Sequence, residues 1–264
     1  ALIIAVLTTG FEAVSLSGAD NIFVPFGTYF ILMKMVPKPL PIITEQVRNL
    51  GIVIAAAVLL SIRPRSLKTS AIIGVMLLDY AAWSLCDLYW FLPLLFSQVL
   101  FFLITLLLQK LKKSEFLSSF QIKAVFYTGI VPTILIFMAN TAGNYSFFFV
   151  PYLAAVTGQI AVILRSYLSI CFNEKHKNGI EVLHVSAISL ITLCTVSLYP
   201  VLSYNLSNKG VALLLLAGSV LTAQLFHSLV KRTWNQRSAE DKKFEYQSRM
   251  IAVGVSACIV LVIQ

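Results

Sequence analysis

The stretch Phe91-Leu-Pro-Leu-Leu-Phe-Ser-Gln-Val-Leu-Phe-Phe-Leu-Ile-Thr-Leu-Leu-Leu-Gln109 runs for 19 residues without one charged side chain. About 20 apolar residues in α-helical form cross the hydrocarbon of a bilayer. In that solvent every backbone N–H and C=O must be paired within its own segment, so the stretch predicts a transmembrane helix. Lys110, Lys112 and Lys113 follow at once. Basic flanks of this kind mark the cytoplasmic end of a span.

Working outward, comparable runs fall at residues 1–16, 21–37, 49–62, 69–90, 121–139, 146–170, 182–203, 210–230 and 247–264. Together they predict an all-α, polytopic integral membrane bundle of about ten transmembrane helices. The composition agrees: of 264 residues 58% are apolar and 12% charged, against about 25% charged in soluble domains. Disordered, collagen-like and disulfide-scaffold chains are excluded on the same grounds. The run at 49–62 is short for an upright span, so it is expected either to be half-buried or to extend into its flanks. Pro37-Lys-Pro-Leu-Pro41 is a stiff connector, because proline fixes φ and restricts its neighbours. The longest polar stretch, Lys231 to Arg249, is too short for a soluble domain.

The formal charge is +9. In a soluble domain that would suggest nucleic acid; here the positive-inside rule accounts for it, and no nucleic-acid partner is expected. Most basic residues sit in four connections, beginning with Arg63, Arg65 and Lys68, then Lys110 to Lys123, Arg165 to Lys177, and Lys231 to Arg249. With ten spans all four fall on one side, which is then cytoplasmic. The triplets Asn144-Tyr-Ser146 and Asn205-Leu-Ser207 fall opposite. Cys86, Cys171, Cys194 and Cys258 form no C-x-x-C pair, so neither zinc nor a redox motif is indicated. The first segment lacks a basic n-region and contains Glu12, unlike a signal peptide. A chain starting at Ala1 without methionine reads as a fragment or a trimmed product.

Ionisable groups inside a membrane are costly and are candidates for function. Glu12 and Asp20 flank the polar turn Ser15-Leu-Ser-Gly-Ala-Asp-Asn21, which faces the cytoplasm in this topology. Two carboxylates with nearby Asn and Ser oxygens suit Mg²⁺, which takes one or two carboxylates plus phosphates. A capped helix junction, with Asp20 or Asn21 accepting backbone N–H bonds, explains the same residues. Asp79 and Asp87 lie two turns apart, so one helix face could carry both. Asp87, with Trp83, Tyr89 and Trp90, reads as an interfacial belt on the outer side. His227, one turn before Lys231, is expected at the membrane surface. Phosphate-loop, dinucleotide, zinc-protease and hydrolase motifs are all missing.

The stretch Glu12-Ala-Val-Ser-Leu-Ser-Gly18-Ala-Asp20-Asn21-Ile-Phe-Val-Pro25 resembles the E-x-x-S-x-x-G-x-D-N-x-x-x-P element of phytol and dolichol kinases, which are related to the membrane cytidylyltransferases. That element stands near the end of such domains. The resemblance therefore implies that residues 1–48 end a phytol/dolichol-kinase-like membrane domain. Arg63-Pro-Arg65-Ser-Leu-Lys68-Thr-Ser-Ala71 resembles the basic approach to the small-residue helix of the phytyl-phosphate kinases. Ala217-Gly-Ser219-Val-Leu-Thr-Ala-Gln224, leading to Val230-Lys-Arg232, is similar to their late G-S-x-x-D-S segment. Residues 49–264 thus look like a diverged phytyl-phosphate-kinase-like domain. The counterpart of that family's acidic A-D-T element is Tyr152-Leu-Ala-Ala-Val-Thr-Gly-Gln159, which has no acid, and the late aspartate is missing as well.

The resemblance implies a membrane prenyl-lipid kinase or CTP-dependent lipid phosphotransferase. Asp20, Asn21 and Glu12 would serve catalysis, Asp20 and Glu12 would hold Mg²⁺ with CTP or ATP, and Arg63, Arg65 and Lys68 would hold phosphate. Its partners would be a nucleotide and a membrane lipid or polyprenyl substrate. The missing acids point to the alternative, a non-catalytic membrane protein: a transporter or a degenerate partner subunit. A transporter would place polar groups near the bilayer midplane. Asp79 and the Thr157-Gly158-Gln159 patch are the candidates for that role.

Overall fold

The computed structural model describes residues 2–14, 25, 28–29, 32–33, 36–62, 69–110, 122–172, 187–234 and 242–264. The described residues are all-helical, with 92% in helices and no strand among them. In chain order the elements are α1 (Leu2–Val14), α2 (Leu40–Ile62), α3 (Thr69–Leu85), α4 (Leu88–Lys110) and α5 (Ile122–Ala142). They continue with α6 (Tyr145–Phe172), α7 (Ala187–Ser203), α8 (Lys209–Trp234) and α9 (Lys242–Ile263).

Five of these, α2, α4, α5, α6 and α8, are long and apolar enough to cross a membrane; α3, α7 and Gln247–Ile263 of α9 are shorter apolar helices. Such a set is what a multi-pass membrane protein requires. Ten spans are not reached among the described residues, partly because the expected segment 21–37 lies largely outside them. The short run at 49–62 belongs to the 23-residue α2, which extends backwards through Glu45 and Arg48. These two pair with each other at 3.2 Å on the exposed face. α2 also continues unbroken through residue 48.

The architecture is built round α6. Of its Tyr145–Arg165 window 94% is buried, against 28–33% for the other four long helices. A helix apolar all round belongs in a core, and α6 is packed by α4, α5, α7, α8 and α9. Small residues on it, Ala154, Ala155, Gly158 and Ala161, let neighbouring backbones approach, the usual basis of helix packing in lipid. The outer helices turn leucines outward, among them Leu103, Leu107, Leu214 and Leu225. A smaller core joins Ile3 and Leu7 of α1 to Leu50, Val53, Tyr80 and Phe91.

Three connections meet at one end. Asn140 Nδ2 donates to Leu85 O at 2.6 Å and lies 3.3 Å from Tyr145 Oη, joining the α3–α4 and α5–α6 turns. Tyr204, which ends α7, stacks on Phe149 with ring centroids 3.9 Å apart. The ends of α4, α6 and α8 that lead into basic connections therefore lie at the opposite end of the bundle. Asp87 starts α4: its Oδ1 accepts from Tyr89 N at 2.7 Å and Trp90 N at 3.2 Å. Burial raises its pKa above the ordinary carboxylate range, and these two N–H groups oppose the shift.

Two expectations need correction. Trp90 is no interfacial belt residue: it is fully buried, its ring 4.6 Å from that of Tyr152 and 5.5 Å from that of Phe149. The turn at Asp87 starts a new helix and swings the indole under α6. His227 is likewise buried, its Nδ1 3.5 Å from Ser248 Oγ. Packing of α9 over α8 covers the histidine, although Lys231 follows one turn later.

Candidate functional site

Of the residues singled out for chemistry, Glu12 lies on α1 and is exposed. It follows Gly10, whose position for a Cβ is 3.2 Å from Leu77 of α3. Asp20, Asn21, Arg63, Arg65 and Lys68 lie outside the described residues. Among the described residues no group of three or more His, Cys, Asp and Glu could hold a metal ion.

The described residues bring together two groups of polar side chains that hydropathy alone would not assemble. The first lies between α3 and α4. Asp79 is buried, and Gln98 Nε2 donates to both of its carboxylate oxygens at 2.7 Å. Beside it Tyr80 Oη donates to Gln46 Oε1 of α2 at 3.3 Å. Tyr152 of α6 donates from its hydroxyl to Trp90 O, and Asp79 is among the charged groups facing that hydroxyl. Asp79 and Asp87 do not share one helix face: α3 ends at Leu85, and Asp87 lies in the turn that starts α4.

The second group runs along the seam of α6, α7, α8 and α9. Its first contact is at a glycine: a Cβ on Gly158 would stand 3.4 Å from Ala223 Cβ and 3.8 Å from Ser256 Oγ. Thr157 Oγ1 and Ser197 Oγ lie 2.5 Å apart. Ser197 ends a π-helical turn, Leu193–Ser197, in α7. Such turns insert one residue into a helix and recur at functional sites. Gln224, fully buried, donates from Nε2 to Ser189 Oγ at 2.9 Å. Arg165 Nη1 donates to Gln224 O at 3.1 Å and to Ser228 Oγ. Arg249 is also buried, on α9 next to Ser248.

Arg165 thus places a guanidinium at the basic end of the seam, and Arg249 is buried on the neighbouring α9. Guanidinium offers five N–H donors in a planar fork that suits phosphate or carboxylate. Sequence reasoning treated Arg165 as a topology marker and passed over Gln98 and Gln224. The available signal was a glutamine inside each of three long apolar runs, at positions 98, 159 and 224. A buried amide in hydrocarbon needs a partner on another helix. No family model matches this chain, and no curated protein or solved structure matches it either.

Proposed function

We propose that the chain is a multi-pass membrane protein of the prenyl-lipid phosphotransferase kind, a kinase or a CTP-dependent transferase or a piece of one. One observation supports this reading. The stretch that resembles phytyl-phosphate kinases, Ala217–Gln224, and the acid-less counterpart of their acidic element, Tyr152–Gln159, lie about 65 residues apart in sequence yet meet through Gly158 and Ala223. Arg165 and Arg249 stand beyond that contact toward the basic end, where a lipid phosphate lying between helices would bring its charge. The lipid tail would lie along the apolar exterior of α8 and α9. Phosphoryl transfer asks mainly for positioning and charge neutralisation, and the arginines supply both for the bound phosphate. No step is routed through Mg²⁺; Asp20 and Glu12 stand as its proposed ligands on the resemblance alone.

The absence of an acid in Tyr152–Gln159 and the place of Gln224 on Ser189 favour the second reading, a lipid-binding partner subunit or transporter without transfer activity. The purified full-length protein, given CTP or ATP, is assayed for phosphorylation of prenols and prenyl phosphates, alongside binding of radiolabelled prenyl phosphate. Transfer supports the first reading. Binding without transfer, weakened by Arg165→Leu, supports the second. If neither binding nor transfer is found with any prenyl lipid, both are wrong.

A further inference from the structure

α3 and α4 form a hairpin through the turn at Cys86 and Asp87, and side-chain contacts tie its arms. Near the turn Trp83 stacks on Phe91, with ring centroids 4.9 Å apart. Deeper in the seam Asp79 meets Gln98. Gln98 lies near the middle of the 23-residue α4, about 15 Å along it. The pair therefore stands close to the midplane of a hydrocarbon layer about 30 Å thick. Ionisable groups at that depth are costly and mark function.

The contact leaves the charge of a carboxylate unanswered. Asp79 is 1% exposed, and one amide nitrogen, Gln98 Nε2, approaches both of its oxygens at 2.7 Å. That donor is neutral, whereas a buried charge calls for an opposite one. The charged and titratable side chains described on the helices packed against α3 do not provide it. They are Glu12 on α1, Glu45 and Arg48 paired on the exposed face of α2, Asp87 and Tyr89 at the start of α4, and Tyr127 on α5. Tyr80 of α3 is bonded to Gln46, Cys86 lies in the turn, and Tyr152 faces Asp79 from α6. A neutral Asp79 suits the partner it has. Its O–H can donate to Gln98 Oε1 while Nε2 donates to the other oxygen, so carboxylic acid and carboxamide satisfy each other. The carboxamide needs only to slide from its central position to one side.

We propose that Asp79 and Gln98 form a proton-operated latch between α3 and α4, closed while Asp79 holds a proton and open once the proton passes to water. The carboxylate left behind draws water into an otherwise apolar seam and loosens α3 from α4. The latch goes beyond the lipid reading and does not depend on it, since it works without nucleotide or prenyl lipid.

The test uses the full chain in phosphatidylcholine nanodiscs. Infrared spectra recorded from acid to alkaline pH read protonated carboxyls, and Asp79→Asn identifies the signal that belongs to Asp79. Should that variant fail to fold, Asp79→Glu, which moves the signal without removing it, identifies it instead. The latch predicts an Asp79 signal that is lost on the alkaline side, the ratio of acid to carboxylate changing about tenfold per pH unit. Hydrogen exchange of the α3 amides, corrected for the intrinsic effect of pH, is expected to quicken at the same midpoint. Asp79→Asn should show no such step. Gln98→Leu removes the donor that favours the carboxylate and should move the midpoint to higher pH. The latch is overturned by the absence of a protonated Asp79 signal, by a signal that never titrates in the folded protein, or by titration without a step in α3 exchange. An unmoved midpoint in a folded Gln98→Leu protein overturns the pairing with Gln98.

Discussion

Gly158 of α6 and Ala223 of α8 approach so closely that a Cβ added to the glycine would lie 3.4 Å from the alanine's. That distance is ordinary van der Waals contact, so alanine fits and nothing larger does. Gly158→Ala is expected to hold or raise stability, since glycine costs about 0.5–1 kcal/mol in a helix interior. Gly158→Leu should lose about 1–3 kcal/mol through overpacking. Thermal unfolding of the two variants in detergent separates them.

Thr157 and Ser197 form a buried hydroxyl pair across the π-helical turn, 2.5 Å apart. Thr157→Val leaves the serine hydroxyl without that partner, which costs about 1–3 kcal/mol. Adding Ser197→Ala should recover part of the loss. A double-mutant cycle that proves additive would show that the pair is not coupled.

Asp87 combines a helix cap with a raised pKa. Its folded state binds the proton more tightly than the unfolded chain does, so its contribution to stability falls as pH rises through the interval above 3.8. Asp87→Asn keeps the cap and removes that pH dependence, whereas Asp87→Ala removes both and is expected to lie about 1 kcal/mol below Asp87→Asn at every pH. Unfolding midpoints measured from acid to neutral pH give the sign directly.

The sidedness of the bundle is open to chemical labelling. The α3–α4, α5–α6 and α7–α8 turns share one end, and the positive-inside rule assigns the opposite end to the cytoplasm. Single cysteines at Lys112 and Asn144, in a background without native cysteines, are expected to react from opposite sides of sealed vesicles. Reaction of both from one side would refute the topology.

If the kinase resemblance carries function, Asp20 is expected to show a charge dependence. Asp20→Asn keeps most capping ability but removes the charge. A large loss of transfer activity with normal expression fits a metal or phosphate role. Full activity reduces the turn to a helix junction.

Much of the fold could be read directly from hydropathy. The runs at 146–170 and 210–230 appear as α6 (Tyr145–Phe172) and α8 (Lys209–Trp234), shifted by a few residues at their ends. What hydropathy could not reveal is which helix is central. The α4 and α6 windows are about equally apolar, yet of the two only α6 is enclosed by protein. Lipid tails and leucine side chains are equally apolar, so the scale cannot distinguish them. The small residues Ala154, Ala155, Gly158 and Ala161 carry that information. The pairing of Asp79 with Gln98 was illegible for another reason, because it depends on how α3 and α4 rotate against each other. At the turn around Asp20 only the motif could be read, since Asp20 and Asn21 lie outside the described residues.

The enclosure of α6 also constrains how the protein is made. During synthesis α6 emerges after α4 and α5 but before α7, α8 and α9, three of the five helices that cover it. For that interval its future interior faces lipid. Thr157 can satisfy its hydroxyl on Leu153 O within its own helix, at 2.7 Å, whereas Arg165 waits for the carbonyl and hydroxyl that α8 brings. The C-terminal third of the chain therefore completes a half-built membrane intermediate, and a ribosome stalled before α8 would leave a species suited to capture by membrane quality control.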